Sequence, residues 1–586
     1  MEPAALIVAS PVLAGLDVVT VLVRKWWTGG RKHAELTCWL VAPRGQVHIP
    51  RHAKADECTQ AQARRRPADG ACLEAADAAA RRCYCAAFAF TAPHIVISQT
   101  EFEHLAGQGY NRIPVVREVL SDLDTPLSVY LKLADGPNTF LFESVEGGES
   151  WGRYSIIGLP ARRIYTLRAG ELATHDLGEI VARDFPADPL AAIEALRAGF
   201  RVPRMPGLPA FTGGLVGYFG FECIGYIEPR LAQNGKPDLL ATPDAVLMLA
   251  EEVAVFDNLR GRLYLIVHAD PSQPQAWRRA QRRLDELNFR LRHAGSTYPD
   301  ALRVQALEER DFKSSFTRGE FESMVERAKD YIRAGDVFQV VPSQRLSVAF
   351  DGRPVDVYRA LRALNPSPYM FFVDLGTTQI VGSSPEILAR LKDGQVVVRP
   401  LAGTRPRGST PEEDAALAEE LLADPKERAE HLMLMDLGRN DVGRISEVGS
   451  VHVTESFVIE RYSHVMHIVS QVQGKLRAGL SYMDVLKATF PAGTLSGAPK
   501  IRAMEIIREL EPHRRNIYAG AVGWIGWWGE GDTAIAIRTA VIHDRQLHVQ
   551  AGAGIVYDSD PSAEWEETMN KARALFRAVA QAAEGL

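Results

Sequence analysis

The sequence is poor in cysteine, and its cysteines follow no pattern known for metal sites or disulfide scaffolds. Six occur in 586 residues, and five of these lie within the first 85. No two are spaced as Cys-x-x-Cys. Small disulfide-rich domains and structural zinc sites need denser or more closely spaced cysteines. The sequence therefore predicts neither a disulfide framework nor a zinc site.

Positive net charge is also missing, and long apolar runs are rare. The net charge of −6 at pH 7 gives no global reason to expect nucleic acid. One apolar stretch, residues 6–23, is about long enough to span a bilayer. Pro11 and Asp17 interrupt it, and no basic residue precedes it as in a signal peptide. We therefore predict a cytoplasmic protein with no membrane segment and no nucleic-acid partner.

Nucleotide-binding motifs are absent as well. Residues 493–500, GTLSGAPK, resemble a phosphate-binding loop but lack the spacing Gly-x-x-x-x-Gly-Lys-Ser/Thr. No Gly-x-Gly-x-x-Gly stretch opens a βαβ unit. These two common ways of binding a nucleotide are thus not predicted for this chain.

The character of the sequence changes near residue 97. Residues 1–96 are rich in alanine, arginine and cysteine without clear periodicity, which predicts a weakly structured extension; an over-long gene start is one explanation. Residues 97–300 carry strand-like runs separated by glycine, proline and aspartate, and residues 301–586 alternate strands with helices. The pattern indicates antiparallel sheets with flanking helices. The helices expected in the last region are 411–435, 481–489, 499–510 and 561–583.

Two pairs of glutamates are candidates for binding a cation. Glu427 and Glu430 lie three residues apart in one predicted helix, as do Glu564 and Glu567 in another, so each pair shares a helix face. Such a pair is common on a solvated surface. Two pairs from separate helices could instead hold one hard cation such as Mg²⁺.

Two side chains and two loops are further candidates for contact with a ligand. Arg538 lies in the apolar run AIAIRTAVI, where a guanidinium needs an anionic partner such as a carboxylate. Tyr518 lies nearby in NIYAGAVGW and could equally be core. The loops at 401–408 and 550–555 are rich in glycine and could let a ligand approach the backbone.

A buried acid, two histidines and one amide complete the candidates. Glu386 follows a predicted strand and turn; in an apolar setting its pKa would rise and make it a general acid. His464 and His467 lie on opposite faces of a predicted strand, so at most one faces a given site. Gln339 lies in the apolar strand Val337–Val341 and is either a satisfied structural amide or a residue facing a substrate.

Many ordered blocks between residues 101 and 584 resemble the anthranilate synthase component I family of chorismate-utilising enzymes. They include LFESVEGGESWGRYSIIG, GDVFQVVPSQR, GSSPE, PLAGTRPRG, ERAEHLMLMDLGRNDVGR, FPAGTLSGAPK, QAGAGIVYDSDP and EWEETMNKA. The resemblance implies an α+β fold with two antiparallel β-sheets packed as a sandwich and helices outside. It also implies an N-terminal regulatory region at 97–300 and a chorismate-binding catalytic region at 301–586.

The activity implied by the resemblance is the conversion of chorismate and ammonia to anthranilate and pyruvate, with Mg²⁺. The implied metal ligands are Glu430 and Glu567, supported by Glu427 and Glu564, and the metal would hold the ring carboxylate. Glu386 would protonate the departing hydroxyl, and His467 would take part in pyruvate elimination. The implied substrate-binding residues are Gly403, Thr404, Tyr518, Arg538, Gly552, Ala553, Gly554 and Lys571.

Two positions discriminate between the branches of the chorismate-utilising enzymes that this chain resembles. Ala402 stands where many 4-amino-4-deoxychorismate synthases carry a nucleophilic lysine. Gln339 stands where isochorismate and salicylate synthases carry a lysine that activates water, and ammonia needs no such base. Both favour the amine-adding branch that forms anthranilate. The alternatives are a 4-amino-4-deoxychorismate or aminodeoxyisochorismate synthase, and a non-catalytic regulatory protein of the same fold.

A partner and a regulator are implied too. No glutaminase domain follows residue 586, so ammonia is expected from a separate glutamine amidotransferase subunit, in a heterotetramer. Feedback inhibition by tryptophan is implied by residues that match the tryptophan-binding elements. These residues are Glu143, Ser144, Pro368, Tyr369 and Met370.

Overall fold

The computed structural model describes residues 6–7, 19–28, 31–40, 96–144, 152–232, 235–294, 306–462 and 465–586. The chain divides into two compact units, residues 1–92 and 93–586. In the first unit, strands β1 (Leu6–Ile7), β2 (Val19–Thr28) and β3 (Arg31–Leu40) form an antiparallel sheet. Most of the predicted weakly structured extension, and part of the apolar stretch 6–23, lie outside the described residues, so both interpretations stay predictions. Within the described ranges, no helix combines the length and the apolar character needed to cross a membrane.

The second unit contains the remaining strands. They are β4 (Ile113–Leu120), β5 (Thr139–Glu143), β6 (Tyr154–Gly158), β7 (Arg163–Arg168), β8 (Glu171–Asp176), β9 (Glu179–Asp184), β10 (Gly214–Phe219), β11 (Ala245–Ala250), β12 (Glu252–Asp257), β13 (Arg262–Ala269), β14 (Lys313–Ser314), β15 (Gln339–Val340), β16 (Ser343–Ala349), β17 (Tyr369–Asp374), β18 (Thr378–Ser384), β19 (Ile387–Lys392), β20 (Gln395–Val398), β21 (Leu401–Pro406), β22 (His452–Arg461), β23 (Val465–Lys475), β24 (Gly497–Ala498), β25 (Ala521–Gly526), β26 (Gly531–Ile535), β27 (Thr539–His543) and β28 (Gln546–Gly552).

The helices of this unit are α1 (Gln99–Gly107), α2 (Pro126–Leu133), α3 (Pro189–Ala198), α4 (Ile224–Ile227), α5 (Ala276–His293), α6 (Arg318–Arg333), α7 (Pro354–Leu364), α8 (Pro411–Ala423), α9 (Pro425–Gly443), α10 (Tyr482–Thr489), α11 (Lys500–Leu510) and α12 (Pro561–Glu584). The predicted single helix 411–435 is wrong in two respects, because the helix is interrupted at Asp424 and the second helix continues to Gly443. The Asp424 carboxylate accepts from the N–H groups of Lys426 and Glu427, and Pro425 begins the second helix.

Two large antiparallel sheets pack face to face. Among the described residues, one has twelve strands in the order β21-β23-β20-β19-β26-β25-β10-β11-β7-β8-β9, with β22 on β23. The other has eleven, in the order β14-β16-β28-β27-β18-β17-β5-β6-β12-β13-β4. Side chains from both sheets, among them Tyr218, Met248, Tyr264 and Phe371, form a common buried core. Separate apolar clusters join α2, α5, α7 and α12 to the outer face of the second sheet, and α3, α9 and α10 to that of the first. The predicted sandwich with outer helices is confirmed.

The two regions 97–300 and 301–586 share both sheets. Strand β10 pairs with β25 in the twelve-stranded sheet, and β5 pairs with β17 in the eleven-stranded sheet. Residues 93–586 form a single compact unit for this reason. The boundary predicted at residue 300 therefore does not separate two compact units, and the roles predicted for the two regions stay predictions.

Candidate active site

A buried carboxyl group lies between two strands at the centre of the predicted site. Glu386 separates β18 from β19 and is 6% exposed. The Thr494 hydroxyl lies 3.0 Å from Glu386 Oε1 and 3.1 Å from Oε2. Burial raises the pKa of Glu386 to about 8, although the Thr494 hydrogen bond and the charges of Arg538 and Lys571 oppose the rise. Glu386 therefore carries a proton near neutral pH, as a general acid must.

A buried histidine lies nearby with one ring nitrogen engaged. His467 Nδ1 lies 2.9 Å from the Gly403 carbonyl oxygen and 3.0 Å from Thr404 Oγ1. Because a carbonyl only accepts, Nδ1 carries the ring hydrogen, and Nε2 of the neutral ring presents a lone pair. Nε2 is buried and has no hydrogen-bond partner among the described residues. Burial and the charge of Arg538 lower the pKa of His467 to about 4, so the ring is a neutral base above pH 5.

The backbone around Gly403 explains this histidine contact. Strand β21 has an irregular register against β23 between Ala402 and Thr404, which leaves Gly403 between two paired residues. Gly403 has a φ of +73°, and a Cβ there would lie 3.1 Å from Glu427 Oε2. Glycine thus allows both the bulge and the close approach of the Glu427 carboxylate. The predicted ligands Gly403 and Thr404 are brought next to His467, whereas His464 lies outside the described residues.

Arg538 brings a buried guanidinium toward the candidate acid. The sequence predicted it inside a strand, but it lies between β26 and β27 with a φ of +47°. Burial lowers the pKa of Arg538, and the nearby Tyr462 and Glu386 oppose this change. The backbone carbonyl of Arg538 accepts from the Ser383 N–H at 3.1 Å, but no hydrogen bond or ion pair joins its side chain to a residue that the structure describes. Its N–H groups can therefore bind a ligand carboxylate, as predicted from its residue type.

The backbone of residues 552–554 lies against Tyr518 and Gln339. A Cβ on Gly552 would lie 3.0 Å from Tyr518 Oη, and one on Gly554 would lie 2.7 Å from Gln339 Nε2. Lys571 donates to the Gly552 carbonyl at 3.0 Å and pairs with Glu567 at 2.7 Å. Tyr518 is buried, and burial raises the pKa of its hydroxyl well above the usual range. These positions lack room for side chains but give a small ligand group access to the main chain.

The four predicted metal ligands approach one another from α9 and α12. Gln339 Nε2 donates to Glu430 Oε1 at 2.9 Å, and burial raises the pKa of Glu430, with the charges of Glu427 and Glu567 adding to the rise. Burial also raises the pKa of Glu564, and its Oε2 is buried without a hydrogen-bond partner among the described residues. In the part of the chain that the structure describes, no three acidic or metal-binding side chains converge closely enough to hold an ion. The metal site therefore stays a prediction.

Comparison with known proteins identifies the family to which this site belongs. Residues 151–577 match the family model described as chorismate binding enzyme.

The chain belongs to the chorismate binding enzyme family.

It is 59% identical over 488 residues to the Pseudomonas aeruginosa protein named anthranilate synthase component 1, covering 83% of this chain and 99% of that one. The crystal structure of anthranilate synthase component I from Streptococcus pneumoniae TIGR4 is 39% identical with a TM-score of 0.65, covering 78% of this chain and 99% of that one. The menaquinone-specific isochorismate synthase from Escherichia coli shares the fold at 20% identity and a TM-score of 0.60, covering 82% and 98%. The resemblance stated from the sequence is confirmed.

Apart from the candidate active site, a cavity lies between the two large sheets. Its volume is about 450 Å³, and all five predicted tryptophan-binding residues line it, together with Arg153, Arg390, Trp524 and Asp532. The Glu143 carboxylate accepts from Arg362 at 3.1 and 3.2 Å and from the Tyr358 hydroxyl at 2.5 Å. Glu143 is thus engaged inside the protein, and three other lining residues, Tyr369, Arg390 and Asp532, are hydrogen-bonded to one another.

Sequence reasoning missed Thr494, the hydroxyl on the candidate acid. The segment 493–500 resembles a phosphate loop and belongs to a block of the family resemblance, but neither observation assigned a role to Thr494. The contact from Thr494 to Glu386 spans 108 residues, and no local pattern could announce it. Sequence reasoning also missed the buried ion pair of Glu511 and Arg515 next to Tyr518, for the same reason.

Proposed function

We propose that this chain is the chorismate-converting component of an anthranilate synthase, which forms anthranilate and pyruvate from chorismate and ammonia. The observation that carries the proposal is the pairing of a neutral buried acid, Glu386, with a neutral buried base, His467, beside the guanidinium of Arg538. The overall reaction releases one water, so it needs a proton donor at the leaving hydroxyl and an acceptor for a ring proton. The names of the relatives support the same activity.

The residues then divide the work. Arg538, Tyr518 and the backbone of 552–554 hold the pyruvyl carboxylate and orient the ring. Glu386 gives its proton to the departing hydroxyl, which leaves as water while ammonia bonds to the ring. His467 Nε2 accepts the ring proton as pyruvate is eliminated and the ring becomes aromatic. The Gly403 carbonyl keeps His467 in the tautomer that this step requires.

We also propose a magnesium ion between α9 and α12, although the carboxylates of the described residues do not converge on one point. Glu430 and Glu567, supported by Glu427 and Glu564, are an all-oxygen donor set of the kind that Mg²⁺ prefers. A cation there is supported by the buried Oε2 of Glu564, which no described residue contacts by a hydrogen bond, and by the mutual repulsion felt at Glu430. When bound, Mg²⁺ would neutralise the ring carboxylate of chorismate. Gln339 orients Glu430 through its amide N–H.

We further propose a glutamine amidotransferase subunit as the ammonia source, in a heterotetramer in the cytoplasm. The designation component 1 of the relatives supports a second component. We propose tryptophan as the occupant of the cavity between the sheets, where it would act as a feedback inhibitor. The cavity is large enough for one indole amino acid, and its wall mixes aromatic rings with charged groups.

One assay tests this function. The purified chain is mixed with chorismate and Mg²⁺ at alkaline pH, and anthranilate fluorescence is followed with ammonium salt, with or without a chelator. We expect formation of anthranilate that requires ammonia and Mg²⁺ but no partner subunit, and little formation by Glu386→Gln. Accumulation of a non-aromatic amine without pyruvate would favour the aminodeoxychorismate alternative. Chorismate left intact under all conditions would favour a non-catalytic protein and overturn the proposal.

A further inference from the structure

A completely buried ion pair lies behind the active site and has no role in the chemistry above. Glu511 is the C-cap of α11, and Arg515 follows four residues later. Their side chains are only 4% and 2% exposed. Arg515 Nη2 lies 2.6 Å from Glu511 Oε1, and Arg515 Nε lies 2.9 Å from Oε2. Buried ion pairs are often no more stabilising than apolar residues of similar volume, so stability alone does not account for this one.

The pair holds the segment that follows Gln339. Arg515 Nη2 donates to the Val341 carbonyl at 2.6 Å. Glu511 Oε1 accepts from the Ser343 N–H at 2.8 Å and from the Ser343 hydroxyl at 2.7 Å. Both ends of a three-residue segment are thereby fixed to one charge pair. The position of Gln339, two residues before Val341, depends on this anchor.

The same segment positions the carboxylate-binding backbone. Pro342, between the two anchored residues, accepts from the Ala553 N–H at 3.1 Å. Ser343 pairs with Gly552 in the ladder of β16 and β28. The chain at Gly552 and Gly554 is packed so tightly that a Cβ would collide with Pro342 or Gln339. A shift of the anchored segment would therefore move the main chain that is proposed to bind the pyruvyl carboxylate.

Arg515 also reaches two other parts of the site. Its Nη1 donates to the Leu495 carbonyl at 2.8 Å, next to the Thr494 residue whose hydroxyl contacts Glu386. Its guanidinium lies 5.5 Å from the centre of the Tyr518 ring. The Arg515 side chain thus contacts the segment after Gln339, the residue next to Thr494 and the Tyr518 ring.

We propose that Arg515, locked by Glu511, is a positioning residue for the chorismate reaction. It places the Gln339 segment, the Thr494–Glu386 contact and the Tyr518 ring relative to one another. The inference rests on the proposed function. The fork of the guanidinium is essential, because three acceptors in different directions are reached from three nitrogens. A lysine ammonium keeps the charge opposite Glu511 but has a single nitrogen and cannot span the carbonyls of Leu495 and Val341.

The test is Arg515→Lys in the full chain, assayed for ammonia-dependent anthranilate formation over a range of pH. We expect kcat/KM for chorismate to fall about 100-fold, the size of effect that a displacement of about 1 Å produces in an active site. Because the Thr494 donation lowers the pKa of Glu386, loosening it should also move the alkaline limb of the profile to higher pH.

A matched control separates positioning from general stability. Arg197 pairs with Glu194 three residues away and donates to the Trp527 carbonyl, which are the same kinds of bond, and neither partner is a residue of the proposed site. Arg197→Lys should lose comparable thermal stability and keep the kcat, KM and pH profile of the parent chain.

The outcomes distinguish the inference from the proposed function. A parent chain without activity overturns the proposed function. An active parent together with a folded Arg515→Lys variant that has unchanged kinetic constants and pH profile overturns only the positioning role. If Arg515→Lys fails to fold, Ser343→Ala decides, since it removes one bond to Glu511 and no charge. If Ser343→Ala lowers kcat/KM and moves the alkaline limb to higher pH, as expected for Arg515→Lys, the positioning role is supported. If Ser343→Ala keeps the parent values, the role is overturned.

Discussion

Replacing Glu386 by glutamine should lower activity and raise stability at once. Its carboxyl group has a pKa of about 8 in the folded chain. At that value about nine tenths of the groups carry the proton at pH 7, about half at pH 8 and about one tenth at pH 9. The pH dependence of kcat/KM reports the pKa values of the free enzyme, so this value applies to kcat/KM. We expect kcat/KM for chorismate to fall about tenfold per pH unit above 8.

Glu386→Gln keeps the shape of the side chain but has no proton to give. Loss of a general acid typically lowers the rate by about 10² to 10⁴-fold. The stability effect has the opposite sign. The folded pKa lies above that of the unfolded chain, so the wild type loses stability as pH rises from about 4.5 to about 8. The accumulated loss is on the order of 4 kcal/mol by pH 8, before relaxation of the buried site reduces it.

The assay combines initial rates at a fixed concentration of unprotonated ammonia with urea unfolding at pH 5 and pH 8.5. Glu386→Gln should unfold at a higher urea concentration than the wild type at pH 8.5, and the difference should shrink at pH 5. Wild-type kcat/KM that stays flat from pH 7 to 9.5, or normal rates of the Glu386→Gln variant, would refute the assignment of the acid.

Four other changes probe the rest of the site. Arg538→Gln should raise KM for chorismate about 100-fold with a smaller effect on kcat, because it removes a charge-assisted contact to a carboxylate; equal losses in both constants would contradict a simple binding role. His467→Gln should leave chorismate amination in place but slow anthranilate formation at least about 100-fold, visible as a non-aromatic intermediate by chromatography. Gln339→Lys should gain some addition of water to chorismate, detected as a hydroxylated product by mass spectrometry, and wild-type products alone would return Gln339 to a structural role. Ser144→Phe should fill part of the cavity between the sheets and raise the tryptophan concentration needed for half inhibition, whereas an unchanged titration would remove Ser144 from the site.

The sandwich and its helices were predictable because their patterns are local. A continuous apolar run marked β13, alternation of apolar residues marked β28, and the periodicity of α12 marked a helix with one buried face. The break at Asp424 was missed, although an aspartate followed by proline is a common start of a helix. The order of strands within each sheet was not readable, because β10 meets β25 across about three hundred residues of chain.

In the candidate site, too, features set by local sequence could be predicted and features set by long-range contacts could not. An arginine in an apolar run needs an anion, so Arg538 could be chosen from its sequence context alone. Glu511 and Arg515 are four residues apart near a helix end, a spacing that usually indicates an exposed pair. Here the pair is buried, since the Gln339 and Thr494 segments close over it. Only the tertiary structure distinguishes an exposed pair from such an anchor.

The shared sheets limit how this protein can be cut or recombined. A fragment that begins near residue 301 would lack β10 and β5, so β25 and β17 would each lose a hydrogen-bonded neighbour. Such a fragment would expose two long unpaired strand edges and half of the core between the sheets. Point substitutions leave this strand pairing intact, but exchange of whole segments between relatives must bring matching strands on both sides of the sandwich.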